Sequence, residues 1–328
     1  MTAAEPAVPP GDTITIIRAR GRRLSKLIDA RGTVESYDAA RTFDITEAPV
    51  ADLRSLERLL RQLLQLFDCA IVRGGIADPT RVRGVRRLLH PDHDTGDTPT
   101  LRDVPRRWLS LDFDDLPRPN EITPRDLTAC ARIAIEALRD PFREVRCIVQ
   151  ATASHGIAPG IRLRLWYWLD RPMTGDELKR WLRGTPIDMS VFGAAQVIYT
   201  AAPQFLPGAY DPLSMRLAVV PGVLAEIPAP PAAALAPPPL NIKPRISCVA
   251  PDDRALAGVV RAITRARPGE RNSILYWASC RLAECVESRL LDHATALAIL
   301  HEAARYTGLP PAEANRTALS GLRRGEVG

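Results

Sequence analysis

The stretch 107–115, RWLSLDFDD, constrains this chain more than any other part of its sequence. Apolar residues at 109, 111 and 113 alternate with polar ones, which is the period of a strand with one face in a core. Asp112 and Asp114 therefore project from the opposite face, roughly 6.5–7 Å apart at Cα. At that spacing both carboxylates can reach one divalent ion or a pair of ions. A solvated acidic strand end, running into the turn after Asp115, fits the same pattern.

A second predicted strand, 161–169, alternates in the same way and carries Arg162, Arg164, Trp166 and Trp168 on one face. Two arginines beside an aspartate-bearing strand provide positive charge where an anion would otherwise meet only carboxylates. The two strands together indicate a phosphate-plus-metal site. The alternative is an edge strand whose arginines extend into solvent.

Three tryptophans, Trp166, Trp168 and Trp181, are candidates to stack on nucleic-acid bases, with core packing as the simpler interpretation. The segment His90-Pro91-Asp92-His93-Asp94 contains residue types that bind metal. Its Thr, Gly and Pro neighbours indicate a flexible loop, which is the interpretation we favour.

The amino-acid composition and net charge favour a soluble protein with an anionic partner. The net charge is +6, and only three of the 44 cationic residues are lysines, the rest being arginines. Arginine grips phosphate with a bidentate fork, although a GC-rich genome produces the same bias. The six cysteines are scattered without a C-x-x-C pair, which argues against structural zinc and for a reducing compartment. Without a signal peptide or an apolar span of about 18 residues, we expect a cytoplasmic protein.

The order of predicted elements indicates a disordered tail at 1–12, an α+β domain at 13–227, a Pro/Ala-rich linker at 228–251 and a helical domain at 252–328. The helical domain is predicted because apolar residues recur at helical spacing between Gly/Pro breaks. The predicted strands are 13–18, 69–73, 107–115, 145–152, 161–169 and 196–199. The predicted helices are 50–67, 123–139, 174–183, 255–266, 272–287, 293–307 and 311–323.

With these segments assigned, the chain resembles the archaeo-eukaryotic primase superfamily, in particular the primase/polymerases of plasmids, phages and other mobile elements. The superfamily's apolar-Asp-apolar-Asp strand matches residues 111–114, and its later apolar-Asp motif matches Ile187 and Asp188. Its Ser-x-His motif is replaced here by adjacent Ser154 and His155. The helical tail resembles the C-terminal accessory domain of the same enzymes.

The resemblance implies an RRM-like antiparallel sheet as the catalytic core, followed by an all-α bundle. It implies a primase/polymerase of a mobile genetic element, which makes primers on single-stranded DNA from NTPs or dNTPs. Asp112, Asp114 and Asp188 would be its catalytic residues and would hold two Mg²⁺ or Mn²⁺ ions. A separate replicative helicase is a further expected partner, and a membrane is not.

Nucleotide binding is expected from Ser154, His155, Arg162 and Arg164, and the sequence leaves open whether His155 or the arginines contact the triphosphate. DNA binding is expected from Arg271 and Asn272 at the start of a predicted helix, where phosphate binds well. An ordinary helix start with Asn272 as the N-cap is the alternative.

Two other functions compete with the primase. One is a non-catalytic replication initiator that binds DNA with the same fold, although a pure binder has no use for three acids facing DNA. The other is a different metal-dependent enzyme, such as a nuclease or a D-x-D glycosyltransferase. A requirement for nucleotides would separate a primase from a nuclease.

Overall fold

The computed structural model describes residues 12–92, 95–235, 253–266 and 270–324. The chain divides between Ala236 and Pro237 into two compact units. Most of the predicted tail and the predicted linker from residue 236 to 251 lie outside the described residues. Asp12, which was assigned to the tail, instead begins the first strand.

The first residues of the predicted linker, 228–235, belong to the folded first unit. Arg171 donates to the backbone carbonyl of Pro230 at 2.6 Å, and Arg180 donates to that of Leu235 at 2.5 Å. Leu235 is itself buried. A proline-rich composition predicts an extended linker only where the chain makes no tertiary contacts. Here the two carbonyls accept hydrogen bonds from arginines, and Leu235 is buried in the core of the first unit.

The first unit is a mixed α+β structure whose sheets are mainly antiparallel, as the sequence predicts. Its strands are β1 Asp12–Arg18, β2 Leu27–Ile28, β3 Val34–Glu35, β4 Asp44–Val50, β5 Cys69–Val72, β6 Gly75–Ile76, β7 Leu101–Arg102, β8 Arg106–Leu116, β9 Cys147–Ala151, β10 Ile161–Met173, β11 Gln204–Phe205 and β12 Leu217–Val220. Its helices are α1 Leu53–Leu63, α2 Leu127–Glu136 and α3 Gly175–Trp181.

The predicted motifs lie on a four-stranded antiparallel sheet with the order β12-β9-β10-β8. β8, α2 and β9 form a crossover, and β10 lies between β8 and β9, which is a split β-α-β arrangement. Because β10 is an interior strand, the alternative of an edge strand with arginines in solvent is wrong. The RRM-like character of the sheet stays a prediction from the resemblance.

β8 is an edge strand of this sheet, and several of its carbonyls, those of Trp108 and Asp112 among them, accept hydrogen bonds from outside the sheet. The Arg73 guanidinium donates to the carbonyl of Trp108 at 2.9 Å. The backbone amide of Asp188 donates to the carbonyl of Asp112 at 3.0 Å. The second contact brings the third predicted aspartate beside the first.

Side-chain caps decide where the helices begin. Asp52 caps α1 and Asp126 caps α2, so both helices begin later than predicted. A capping box of Thr174 and Glu177 opens α3.

The predicted strand at 196–199 is wrong, because this segment makes a single bridge, between Ile71 and Ile198. The apolar residues of this segment are explained by core packing, since Ile198 is only 1% exposed. Core packing likewise accounts for Trp166 and Trp168, which are buried and cannot stack on bases. Trp181 is stacked on Phe142, with ring centroids 5.2 Å apart.

The second unit consists, in its described residues, of the helices α4 Asp253–Thr264, α5 Arg271–Glu287, α6 His293–Arg305 and α7 Pro311–Arg324. Their ends lie within about two residues of the predicted ones, because the Pro and Gly breaks act locally. Leucines and alanines fill its separate core. Gly321 lets α7 approach α5, since a Cβ there would lie 2.4 Å from that of Ser279. None of the described helices is both long and apolar enough to cross a membrane.

A buried arginine joins the three-stranded sheet β4-β1-β5 to the four-stranded sheet. Arg73, directly after β5, is 1% exposed and donates to the carbonyls of Trp108 in β8 and Met173 in β10. Burial, and after it the charge of Arg106, lowers the pKa of this guanidinium to about 10. Even so, Arg73 is cationic at neutral pH.

We expect Arg73→Ala to lower the free energy of unfolding by about 2–4 kcal/mol, because two buried carbonyls lose their donor. Urea unfolding followed by tryptophan fluorescence measures this loss. Arg58→Ala, on the exposed face of α1, is the control and should change stability by less than about 0.5 kcal/mol. Equal unfolding midpoints for the two variants would contradict the role of Arg73.

Candidate active site

A cleft of about 260 Å³ opens at the ends of β8 and β10. Six of the predicted site residues line it together: Asp112, Asp114, Asp188, Ser154, Arg162 and Arg164. These residues come from four separate segments of the chain. The structure thus brings the predicted acidic residues and the predicted basic residues together in one cleft.

The floor of the cleft is a row of three polar residues across the sheet. Asp112 on β8 and Gln150 on β9 both lie opposite Arg164 on β10. The Arg164 guanidinium contacts the Asp112 carboxylate at 2.5 Å and donates to the carbonyl of Tyr199 at 2.7 Å. It also lies 5.7 Å from the ring centroid of Trp166. These contacts fix Arg164 in one orientation.

Asp112 keeps one oxygen unused. Its Oδ2 pairs with Arg164, whereas its buried Oδ1 has no hydrogen-bond partner among the described residues. An unsatisfied buried carboxylate oxygen is costly. In a native cleft it indicates a place where a ligand or an ion completes the contacts.

The three aspartates repel one another electrostatically. Partial burial raises the pKa of the Asp114 carboxyl, and the negative charges of Asp112 and Asp188 raise it further. Asp188 is held by its own hydrogen bonds, because it caps a short 3₁₀ turn and accepts from the Ser190 amide and hydroxyl at 2.8 and 2.6 Å. No three His, Cys, Asp or Glu side chains within the described parts of the chain are close enough to enclose a metal ion by themselves.

His155 does not face the cleft. Its ring is 0% exposed, its Nε2 lies 2.9 Å from the carbonyl of Pro124, and its Nδ1 accepts from the Arg162 amide at 3.2 Å. Burial lowers the pKa of this imidazole, so it is neutral at pH 7. Both ring nitrogens are therefore used to hold the β9–β10 loop. Between the candidates that the sequence left open, the two arginines line the cleft and His155 does not.

Arg162 reaches the cleft from the start of β10. It makes an ion pair with Asp115 at 3.4 Å and donates to the carbonyl of Pro159 at 3.1 Å. Gly160, with φ of +78°, shapes this turn, because a Cβ there would lie 2.5 Å from the Asp115 carboxylate.

Lys26, Tyr37, Gln150 and Tyr199 are among the lining residues that sequence reasoning missed. Tyr37 and Tyr199 form a parallel stack with centroids 3.5 Å apart, and burial raises the pKa of the Tyr37 hydroxyl to about 12. The one available signal was that Lys26 is a rare lysine in an arginine-rich chain.

The other predicted residues lie elsewhere. In the loop at 90–94, Asp92 makes an ion pair with Arg86 at 2.6 Å, and His93 and Asp94 lie outside the described residues. Arg271 is the first residue of α5. Asn272 follows inside the helix, so it is not the N-cap, and its side chain accepts a hydrogen bond from Thr317 of α7.

No protein-family model matches this chain, and no curated protein and no solved structure is similar to it in the comparisons made.

We expect Asp114→Asn to stabilise the protein at pH 7, because it removes a charge that is repelled by two neighbours. The gain should stay below about 1 kcal/mol, since Asp114 is solvent-exposed and its repulsions are screened. A raised native pKa means that the native state binds this proton more tightly than the unfolded state. The gain should therefore disappear near pH 3, where both states are protonated.

Thermal unfolding of the two proteins at pH 7 and pH 3, without divalent ions, measures the difference. Asp140→Asn, at a carboxylate that is 85% exposed, is the matched control and should leave the melting temperature unchanged. A lower melting temperature for Asp114→Asn at pH 7 would show that Asp114 is a structural residue instead.

Proposed function

We propose that this chain is a metal-dependent nucleotidyltransferase that synthesises primers on single-stranded DNA, as a primase/polymerase of a mobile element does. One observation carries the proposal: three carboxylates and two arginines, predicted from separate motifs, line the same small cleft. Nucleotidyl transfer needs both charges side by side, because carboxylates hold divalent ions and cations offset the phosphates.

The carboxylates fit Mg²⁺ or Mn²⁺ as an open set of ligands. Asp112, Asp114 and Asp188 would hold the ions, and the unpartnered Oδ1 of Asp112 is a ligand atom without another use. Magnesium sites at phosphates commonly take only one or two carboxylates and leave the remaining positions to water and substrate. An incomplete protein cage is therefore compatible with this function. When bound, such ions lower the pKa of an attacking hydroxyl and stabilise a departing pyrophosphate.

The arginines of the cleft supply fixed positive charge. Arg164 is held by Asp112, by the Tyr199 carbonyl and by the Trp166 ring, so it needs little reorganisation when phosphate charge develops beside it. Arg162 is less buried and is held by the turn before β10. His155 acts indirectly, because its Nδ1 accepts from the amide of Arg162.

The remaining partners follow from the same proposal. Nucleoside triphosphates would occupy the cleft, and single-stranded DNA would serve as template. The helical unit, with Arg271 and Asn272 at the start of α5, would contact the template or a separate helicase.

We expect the wild-type chain to incorporate labelled nucleotides on unprimed single-stranded DNA with Mg²⁺ or Mn²⁺. Asp114→Asn should reduce incorporation by at least about 100-fold, because a lost metal ligand costs several kcal/mol of transition-state stabilisation. It is a sharper test than Asp112→Asn, which would also leave Arg164 buried without its partner. Asp176→Asn, at an exposed carboxylate of α3, should keep full activity.

The competing functions give different results in the same assay. Degradation of the DNA without any need for nucleotides would indicate a nuclease. DNA binding with neither synthesis nor degradation would indicate a replication initiator, and full activity of Asp114→Asn would overturn the assignment of the metal ligands.

A further inference from the structure

Lys26 reaches the cleft from a part of the chain that carries none of the predicted motifs. Its ammonium donates to the Ser154 hydroxyl at 3.1 Å and lies 5.6 Å from the ring centroid of Tyr37. Ser154 is on the β9–β10 loop, and Lys26, Ser154 and Arg162 all line the cleft.

The charges around the cleft distinguish Lys26 from the two arginines. Arg164 is paired with Asp112, and Arg162 is paired with Asp115. Lys26 makes no ion pair with any residue that the structure describes; its contacts are a hydroxyl and an aromatic face. A cation at a cleft that has no counter-ion is available for a charge-assisted hydrogen bond with an anion.

The segment that carries Lys26 is anchored on both sides of it. The Leu24 amide donates to the carbonyl of Phe67 at 2.7 Å, and the Gln204 amide group donates to the Ser25 hydroxyl at 2.7 Å. On the other side, β2 pairs with both β3 and β11. The backbone at Lys26 is therefore fixed before any ligand arrives, which reduces the entropic cost of binding.

We infer that Lys26 is a binding residue for the triphosphate of the incoming nucleotide, with Ser154 beside it. The inference rests on the proposed function for the identity of the substrate. A cleft of about 260 Å³ is close to the lower end of small-molecule sites and suits phosphates better than a nucleic-acid strand. The ammonium gives up no ion pair to bind, whereas each arginine already contacts a carboxylate.

The test measures binding directly, with the full-length chain and two probes: inorganic triphosphate and dATP, each with Mg²⁺, by calorimetry. Lys26→Met keeps the apolar stem beside Tyr37 and should raise both dissociation constants about ten-fold or more, the contribution of one charge-assisted hydrogen bond. Lys26→Arg should stay within about three-fold of the wild type, since it keeps the charge. Lys179→Met is the matched control, because Lys179 is exposed on α3 and pairs with Asp176; it should change nothing.

In the incorporation assay, Lys26→Met should raise KM for the nucleotide more than it lowers kcat, because the contact is made before the transition state. Unchanged triphosphate binding by Lys26→Met, or no binding by the wild type, overturns the inference. So does a loss of single-stranded DNA binding alone, which would make Lys26 a template contact. If triphosphate binding depends on Lys26 but no nucleotide is incorporated, the proposed function fails and the triphosphate site stands.

Discussion

The buried ion pair between Arg164 and Asp112 is the contact on which the candidate site depends. It joins β10 to β8 at the floor of the cleft, where both side chains are nearly inaccessible to water. Removing one partner from a buried pair strands the other charge, which typically costs 3–5 kcal/mol. The two oxygens of Asp112 therefore have different roles. Oδ2 binds Arg164 and links β8 to β10, whereas Oδ1 is available to a ligand.

Arginine is used here as much for structure as for binding. Arg73, Arg107 and Arg216 are each buried and donate to backbone carbonyls. A planar guanidinium with five donors satisfies several carbonyls at once, which an ammonium cannot do with the same geometry. The bias toward arginine is therefore weaker support for a nucleic-acid partner than the sequence alone indicates. The site residues carry that argument instead.

Local sequence patterns predicted most helices and strands correctly. They did not predict contacts between segments that are distant in sequence. The four C-terminal helices and the strands that carry Asp112 and Arg164 follow from residue periods and from Gly/Pro breaks. Lys26 could not be placed, since its hydrogen bond to Ser154 spans 128 residues and the rarity of lysine in this chain does not tell where the side chain lies. The expectation that His155 binds nucleotide failed for a related reason. It came from the resemblance to a Ser-x-His motif, whereas burial of the ring depends on tertiary packing.

The position of β8 at the edge of its sheet has a consequence for how the protein behaves at high concentration. An exposed edge strand offers unpaired backbone groups to other chains and is a common start for aggregation. Here the carbonyl of Trp108 is occupied by Arg73 and that of Asp112 by the Asp188 amide. Both carbonyls are therefore closed to β-addition by a second molecule. The hydrogen bond that places Asp188 beside Asp112 also protects this strand from pairing with another chain.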